Sequence, residues 1–244
     1  LNMKLDVLAF GVHPDDVELS CSGVLLVEKS NGKKTGIIDL TEGELGSRGT
    51  VETRYKEAED AAKILGVDIR ENLKLADGFF KNDEDHQRKV IRVIRKYKPE
   101  IVICNAPEDR HPDHGRSSKL VSDASFLSGL IKIETSENGI SQEPWRPKYV
   151  LHYIQDRYLQ PDFVVDISAF FEKKLDAIKS YKTQFHNPGI DGPETYISTP
   201  GFLDSVIYRY KMFGKMIGVN YAEGFISDKT IGIKNLDSLI KENT

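Results

Sequence analysis

Apolar residues along this chain fall in short unbroken runs separated by polar, glycine-rich stretches. The first run covers residues 5–11, ends in Gly11 and leads into His13-Pro14. A continuous apolar run of strand length suits a strand buried on both faces. A helix is predicted over residues 14–29, where Pro14 is tolerated in the first turn and Asp15 and Asp16 suit the positive helix end. Residues 34–40 form the second predicted strand, followed by a loop over 41–49 with three glycines in nine residues. Val51 to Leu65 is helical and stops at Gly66. Residues 72–75 give a short strand, 83–97 an amphipathic helix ended by Pro99, and 100–104 another buried strand. That strand runs into a polar loop over 105–114.

Strand and helix alternate with short connections, which predicts a parallel sheet covered by helices on both faces. The expectation is a Rossmann-like three-layer α/β sandwich with a mostly parallel sheet. Its C-terminal third adds strands at 149–154 and 163–167 and helices at 168–183 and 202–217. Residues 186–201 hold three prolines and three glycines and read as a long surface loop. Loops of that length are uncommon unless functional. No repeat, low-complexity tract or linker interrupts the chain, so one domain over residues 1–244 is expected. Leu1 and Asn2 stand ahead of Met3 and are read as an addition outside the fold.

Composition narrows the class. Hydrophobic residues make up 39% of 244 and net charge is −4, ordinary for a globular chain and without the basic footprint of a nucleic-acid or anionic-membrane binder. No apolar run approaches the roughly 20 residues of a membrane span. Only Cys21 and Cys104 are present, which gives no disulfide framework and fits a reducing cytoplasm. Both cysteines are expected in the core.

Two tetrapeptides carry the chemistry: His13-Pro-Asp-Asp16 and His111-Pro-Asp-His114. They hold three of the six histidines and three aspartates in eight residues. Each follows a predicted parallel strand, and open α/β sheets bind ligands beyond the carboxyl ends of their strands. Proline stiffens each turn. Imidazole and carboxylate without thiolate suit Zn²⁺ or a similar divalent ion such as Fe²⁺, and three ligands leave a position for water. Spacing does not say which of His13, Asp16, His111 and His114 bind. A spare aspartate would serve as general base, and a spare histidine as acid or oxyanion stabiliser. Each tetrapeptide alone could be an ordinary helix start; their joint placement at two strand ends favours a metal site.

Gly11-Val-His-Pro-Asp-Asp-Val-Glu-Leu19, Thr41-Glu-Gly-Glu-Leu-Gly-Ser-Arg-Gly-Thr50 with Arg54 and Glu57, and Arg110-His-Pro-Asp-His-Gly115 occur in that order. Together they resemble the LmbE-like family of zinc-dependent de-N-acetylases acting on N-acetylglucosamine derivatives. Tyr181-Lys-Thr-Gln-Phe185 and the stretch from Arg209 to Phe225 look like the bacillithiol branch, which deacetylates N-acetylglucosaminyl malate. The resemblance implies that His13, Asp16 and His114 bind zinc and that Asp15 is the general base. It further implies that His111, steadied by Asp113, stabilises the oxyanion or protonates the leaving amine. Arg54 would contact substrate hydroxyls or a carboxylate, and a homo-oligomer (trimer or hexamer) is expected. Asp109 stands where some relatives carry a tyrosine that helps the oxyanion, so that help would come from Tyr196 in the long loop.

Arg48, beside the glycine-rich loop, could clamp a carboxylate or phosphate. His86 and His186 are expected at the surface, and His152 at a strand end near the site. Neither a G-x-G-x-x-G nor a Walker pattern is present, which counts against a nucleotide-binding protein. Deacetylation of chito-oligosaccharides or another glucosaminide, and a non-catalytic metal-binding module, are the remaining alternatives.

Overall fold

The computed structural model describes residues 3–239, so Leu1 and Asn2 lie outside it. The chain begins β1 (Val7–Gly11), α1 (Asp16–Ser20), α2 (Ser22–Ser30), β2 (Thr35–Thr41) and α3 (Val51–Leu65). It continues β3 (Ile69–Leu75), α4 (Glu84–Tyr97), β4 (Ile101–Cys104) and α5 (Pro112–Leu127). A small hairpin, β5 (Ser136–Glu137) and β6 (Ile140–Ser141), precedes β7 (Tyr149–Tyr153) and β8 (Phe163–Asp166). The last elements are α6 (Phe171–Lys179), α7 (Phe202–Ile217) and β9 (Ala222–Ser227).

Seven strands form one sheet in the order β3-β2-β1-β4-β7-β9-β8. The strands from β3 to β7 pair in parallel, and β9 runs antiparallel to both its neighbours. The α/β class is therefore as the residue pattern predicts. Val7 and Ala9 pack on one face with residues of α2, α3, α6 and α7. Leu8 and Phe10 pack on the other with residues of α4 and α5. Burial on both faces is why these strands read as unbroken apolar runs. Among the described residues no helix is long and apolar enough to cross a membrane.

Where local sequence controls the outcome, the predicted bounds hold. Thr50 caps α3 in a reciprocal box with Thr53, and Gly66 closes it in the left-handed conformation (φ 68°). Where a distant group intervenes, they shift. The predicted helix over 14–29 breaks at Cys21 (φ −137°). There Lys174 Nζ donates to Glu18 O at 2.8 Å, while Gly23 and Val24 donate their N–H groups to the Glu223 carboxylate at 2.9 and 2.7 Å. A carboxylate and an ammonium from remote segments replace hydrogen bonds a continuous helix would make internally.

The other differences have similarly specific causes. The loop predicted over 105–114 ends at His111, because Pro112 is pre-set for a first helical turn and opens α5. The helix predicted over 168–183 is regular only at Phe171–Lys179, behind a 3-10 turn. The edge strand β3 starts at Ile69, three residues early, and its polar residues hide it from an apolar-run search. Strand β9 has Glu223 and Gly224 in its buried middle, and Phe213 occupies the space a Cβ at Gly224 would fill.

Candidate active site

Strand β1 lies between β2 and β4, so the strand order reverses there and the loops beyond β1 and β4 diverge to leave a crevice. His13 follows β1, and His111 to His114 follow β4. The crevice is a cleft of about 380 Å³. His13, Asp15, Asp16, His111 and His114 line it, together with Arg48, Arg54 and Tyr196. Asp113 is the exception among the predicted site residues: it is fully buried beneath the cleft.

The two tetrapeptides meet through their rings. Ring centroids of His13 and His111 are 4.8 Å apart, and those of His111 and His114 are 5.3 Å apart. His114 Nε2 lies 3.3 Å from Asp16 Oδ1, and His13 Nδ1 lies 3.8 Å from Asp16 Oδ2. The outer nitrogen of each flanking imidazole is held by a carboxylate. His13 Nε2 donates to Asp77 Oδ1 at 2.9 Å, and His114 Nδ1 donates to Asp109 Oδ2 at 2.6 Å. Carboxylates in that position fix the tautomer and ring orientation of metal-ligating histidines. Asp16 is fixed as well: Asn105 Nδ2 donates to Oδ2 at 3.1 Å and Gln155 Nε2 to Oδ1 at 2.7 Å.

His111 is held differently. Its Nδ1 accepts the Asp113 N–H at 3.3 Å, capping α5, which leaves Nε2 to carry the ring proton. Ring nitrogens of His13, His111 and His114 nonetheless lie within 4.8 Å of one another, so distance alone admits His111 as a ligand. A protonated nitrogen has no lone pair for an ion, whereas Asp16 is acceptor-only. The Asp113 carboxylate makes no hydrogen bond to His111. It accepts from Gly78 N at 2.8 Å and pairs with Arg116, and acts on the imidazole only as a nearby negative charge.

Electrostatics favour a cation here. Burial would push the Asp16 carboxyl up, but His114 and His13 hold it well below the usual carboxylate range. Burial likewise disfavours a charged His114, yet Asp16 and Asp109 outweigh it and raise the imidazole to about 10. His111 is moved down, by burial first and then by His13 and His114. The donor set is imidazole and carboxylate without thiolate, which fits Zn²⁺ or a similar divalent ion.

Asp15 sits at φ 122°, a conformation L-residues rarely adopt, and is buried. Residues held in such regions need surrounding structure to keep them there and cluster at functional sites. The support is Arg54, whose Nη2 donates to Pro14 O at 3.0 Å and Asp15 Oδ2 at 3.3 Å, and whose Nη1 donates to Gly43 O at 3.1 Å. Burial raises the Asp15 carboxyl to about 7, with Arg54 pulling in the opposite direction. Arg48 is also engaged, donating to Thr183 O, Pro193 O and Ile190 O at 2.8–3.2 Å, and so ties down the long loop. That loop carries Tyr196, half exposed, with the Arg110 guanidinium 4.2 Å from its ring centroid.

Sequence reasoning missed Asp77 and Gln155. Each stands just beyond a strand end, of β3 and β7 respectively, so the rule that found the two tetrapeptides reaches them too. His152 is buried and does not line the cleft. It touches the site at one remove, with Nδ1 2.9 Å from Asn105 O. Cys21 and Cys104 are buried free thiols, as expected, and His186 is exposed.

Residues 8–125 match the family model described as PIG-L, GlcNAc-PI de-N-acetylase. The chain is 29% identical over 228 residues to a diacetylchitobiose deacetylase of Thermococcus kodakarensis, covering 89% of this chain and 81% of that one. In sequence the chain is similar to PIG-L/LmbE-like deacetylases. A Bacillus cereus relative named "Probable N-acetyl-alpha-D-glucosaminyl L-malate deacetylase 2" is 26% identical, over 75% of this chain and 84% of its own length. A conserved protein of Thermus thermophilus shares the fold with a TM-score of 0.83 at 35% identity, covering 94% and 98% of the two chains. The region matched by the PIG-L/LmbE-like model contains both tetrapeptides, Arg54 and Asp77.

Proposed function

We propose that this chain is a zinc-dependent hydrolase that removes acetate from an N-acetylglucosamine conjugate, N-acetylglucosaminyl malate of bacillithiol biosynthesis being the substrate. The observation that carries the reading is the convergence of His13, Asp16 and His114 beside a strained, buried Asp15. His13, Asp16 and His114 would hold the ion, which when bound supplies Lewis-acid polarisation and a more acidic water.

The chain's own groups account for the remaining steps. Arg54 holds Asp15 Oδ2, and Asp15 takes the proton of the attacking water. His111, with its proton on Nε2, donates to the oxyanion as the acetamide carbonyl becomes tetrahedral. Asp15 then returns that proton to the leaving nitrogen, so the amine departs neutral with acetic acid, whose remaining proton passes to the amine or to solvent and leaves acetate. The guanidiniums of Arg48 and Arg54 are occupied by protein carbonyls and Asp15, which leaves Arg110 at the rim for an anionic aglycone. Its Nε is 3.6 Å from Asp156, and its side chain is 42% exposed.

A second reading is a chitobiose-type substrate, favoured by the likeness to the Thermococcus enzyme over most of the chain. Metal analysis coupled to acetate release from N-acetylglucosaminyl malate, N,N′-diacetylchitobiose and N-acetylglucosamine tests both. The expected result is stoichiometric zinc and the highest kcat/KM on the malate conjugate. Higher efficiency on chitobiose selects the second reading. Bound zinc without acetate release from any of the three refutes enzymatic function.

A further inference from the structure

A second, much smaller cavity opens off the cleft beside His114. Leu19, Arg110, His114, Gln155 and Ile197 line both spaces and so stand between them. Phe202, Val206 and Arg209, on α7, line only the small one, as does Asp156, which lies 3.6 Å from Arg110. Its volume is about 20 Å³, where one water-sized probe sphere needs about 10–15 Å³. The space therefore takes one methyl-sized group. Leu19, Ile197, Phe202 and Val206 give it an apolar side, facing His114, Gln155 and the charged groups of Arg110, Asp156 and Arg209.

The position of this cavity relative to the reacting groups is informative. Neither His13, Asp15 nor His111 lines it, so it opens on the flank of His114 and Gln155, away from the base and the oxyanion donor. An amide carbonyl carbon has three substituents. The oxygen turns toward the metal triangle and His111, and the sugar nitrogen leads to the open cleft beneath Tyr196 and the 45–48 loop. The third substituent is the acyl chain, and this cavity is the remaining direction for it.

We infer that this cavity is the acyl subsite, and that Val206, Phe202 and Arg209 restrict the enzyme to acetyl by closing it behind the methyl group. The inference rests on the deacetylase reading given above. Val206 and Phe202 limit the width, while Arg209 ends the pocket with a guanidinium that an alkyl extension would have to displace or desolvate.

The test is an acyl series, N-acetyl, N-propionyl and N-butyryl, on one glucosaminide, with the wild-type chain, Val206→Ala and Arg209→Met. One methylene in an apolar pocket discriminates by about 10- to 200-fold. Wild type should lose at least about tenfold in kcat/KM from acetyl to propionyl, and each variant should recover most of that loss. Val206→Leu, which fills the space, should lower acetyl turnover and spare N-formyl substrate. Arg209 is partly exposed on α7, so its replacement leaves the core intact. Binding of acetate, propionate and butyrate to the zinc-loaded protein, followed by calorimetry, gives a readout independent of turnover. Acetate should bind wild type more tightly than butyrate, and Val206→Ala should narrow or reverse the order.

Equal factors for all acyl lengths in every variant, or carboxylate affinities indifferent to length, would overturn the subsite. If no glucosaminide is hydrolysed while the carboxylate series behaves as expected, the deacetylase reading fails and the pocket stands as a short-carboxylate site.

Discussion

Replacing Arg54 by alanine separates two roles for that guanidinium. The motif pattern alone suggests a substrate clamp, whose loss would appear mainly in KM against an anionic aglycone. The structure places the fork on Asp15 and on the carbonyls of Pro14 and Gly43, with the side chain almost fully buried. A hydrogen bond to a charged group contributes about 1.5–3 kcal/mol. If the Asp15 contact is needed to hold the base in place, its loss corresponds to about 10- to 200-fold in kcat.

The pH profile supplies the second readout. Burial already raises the Asp15 carboxyl to about 7 against the pull of Arg54, so removing Arg54 moves it higher. A base acts only when deprotonated, so the acid limb of kcat shifts to higher pH and the deficit narrows in alkaline buffer. Steady-state acetate release across pH, for wild type, Arg54→Ala and Arg54→Lys, measures both effects. Gly43→Ala should reproduce the defect with Arg54 still in the sequence, because its Cβ would stand 1.9 Å from Arg54 Nη1 and its φ is 67°. An unchanged kcat and acid limb, with KM raised only for the malate conjugate, would refute this account and restore the clamp.

Asp15→Asn should lower kcat by about 10²–10⁴ while the protein retains its metal, read by acetate release and elemental analysis together. Asp77→Asn should weaken metal binding by about 10- to 100-fold in chelator competition, since it loosens the ring of His13. Lys174→Met leaves the Glu223 carboxylate buried without its cation and should cost about 3–5 kcal/mol in urea denaturation. The double variant Lys174→Met/Glu223→Gln should recover part of that loss.

The parts of this molecule legible in its sequence are those decided by near neighbours. The buried parallel strands, the Thr50-to-Gly66 helix and the two proline-stiffened turns follow from residues within one or two turns of each other. Because parallel α/β topology brings strand ends to one edge, two tetrapeptides about 100 positions apart could be joined into one site. What stayed hidden depends on side chains arriving from elsewhere. Asp77 goes unremarked in the sequence, and only the fold sets it 2.9 Å from His13. Arg54 reads as a free fork until its three acceptors are seen, and nothing near Cys21 announces that Lys174 and Glu223 will interrupt a helix there.

That interruption affects when the corner beside the site can form during synthesis. Gly23 N and Glu223 Oε1 are separated by 200 positions. A ribosome that has released the first half of the chain has already delivered His13, Asp15, Asp16, His111 and His114. The carboxylate that sets the corner between α1 and α2 is still unmade, and local preference favours one continuous helix across residues 14–29. Such a nascent chain carries the candidate ligands beside a corner that still lacks its carboxylate. The native break between α1 and α2 therefore forms only after β9 has been translated, and a chain stopped short of residue 223 would keep both motifs without it.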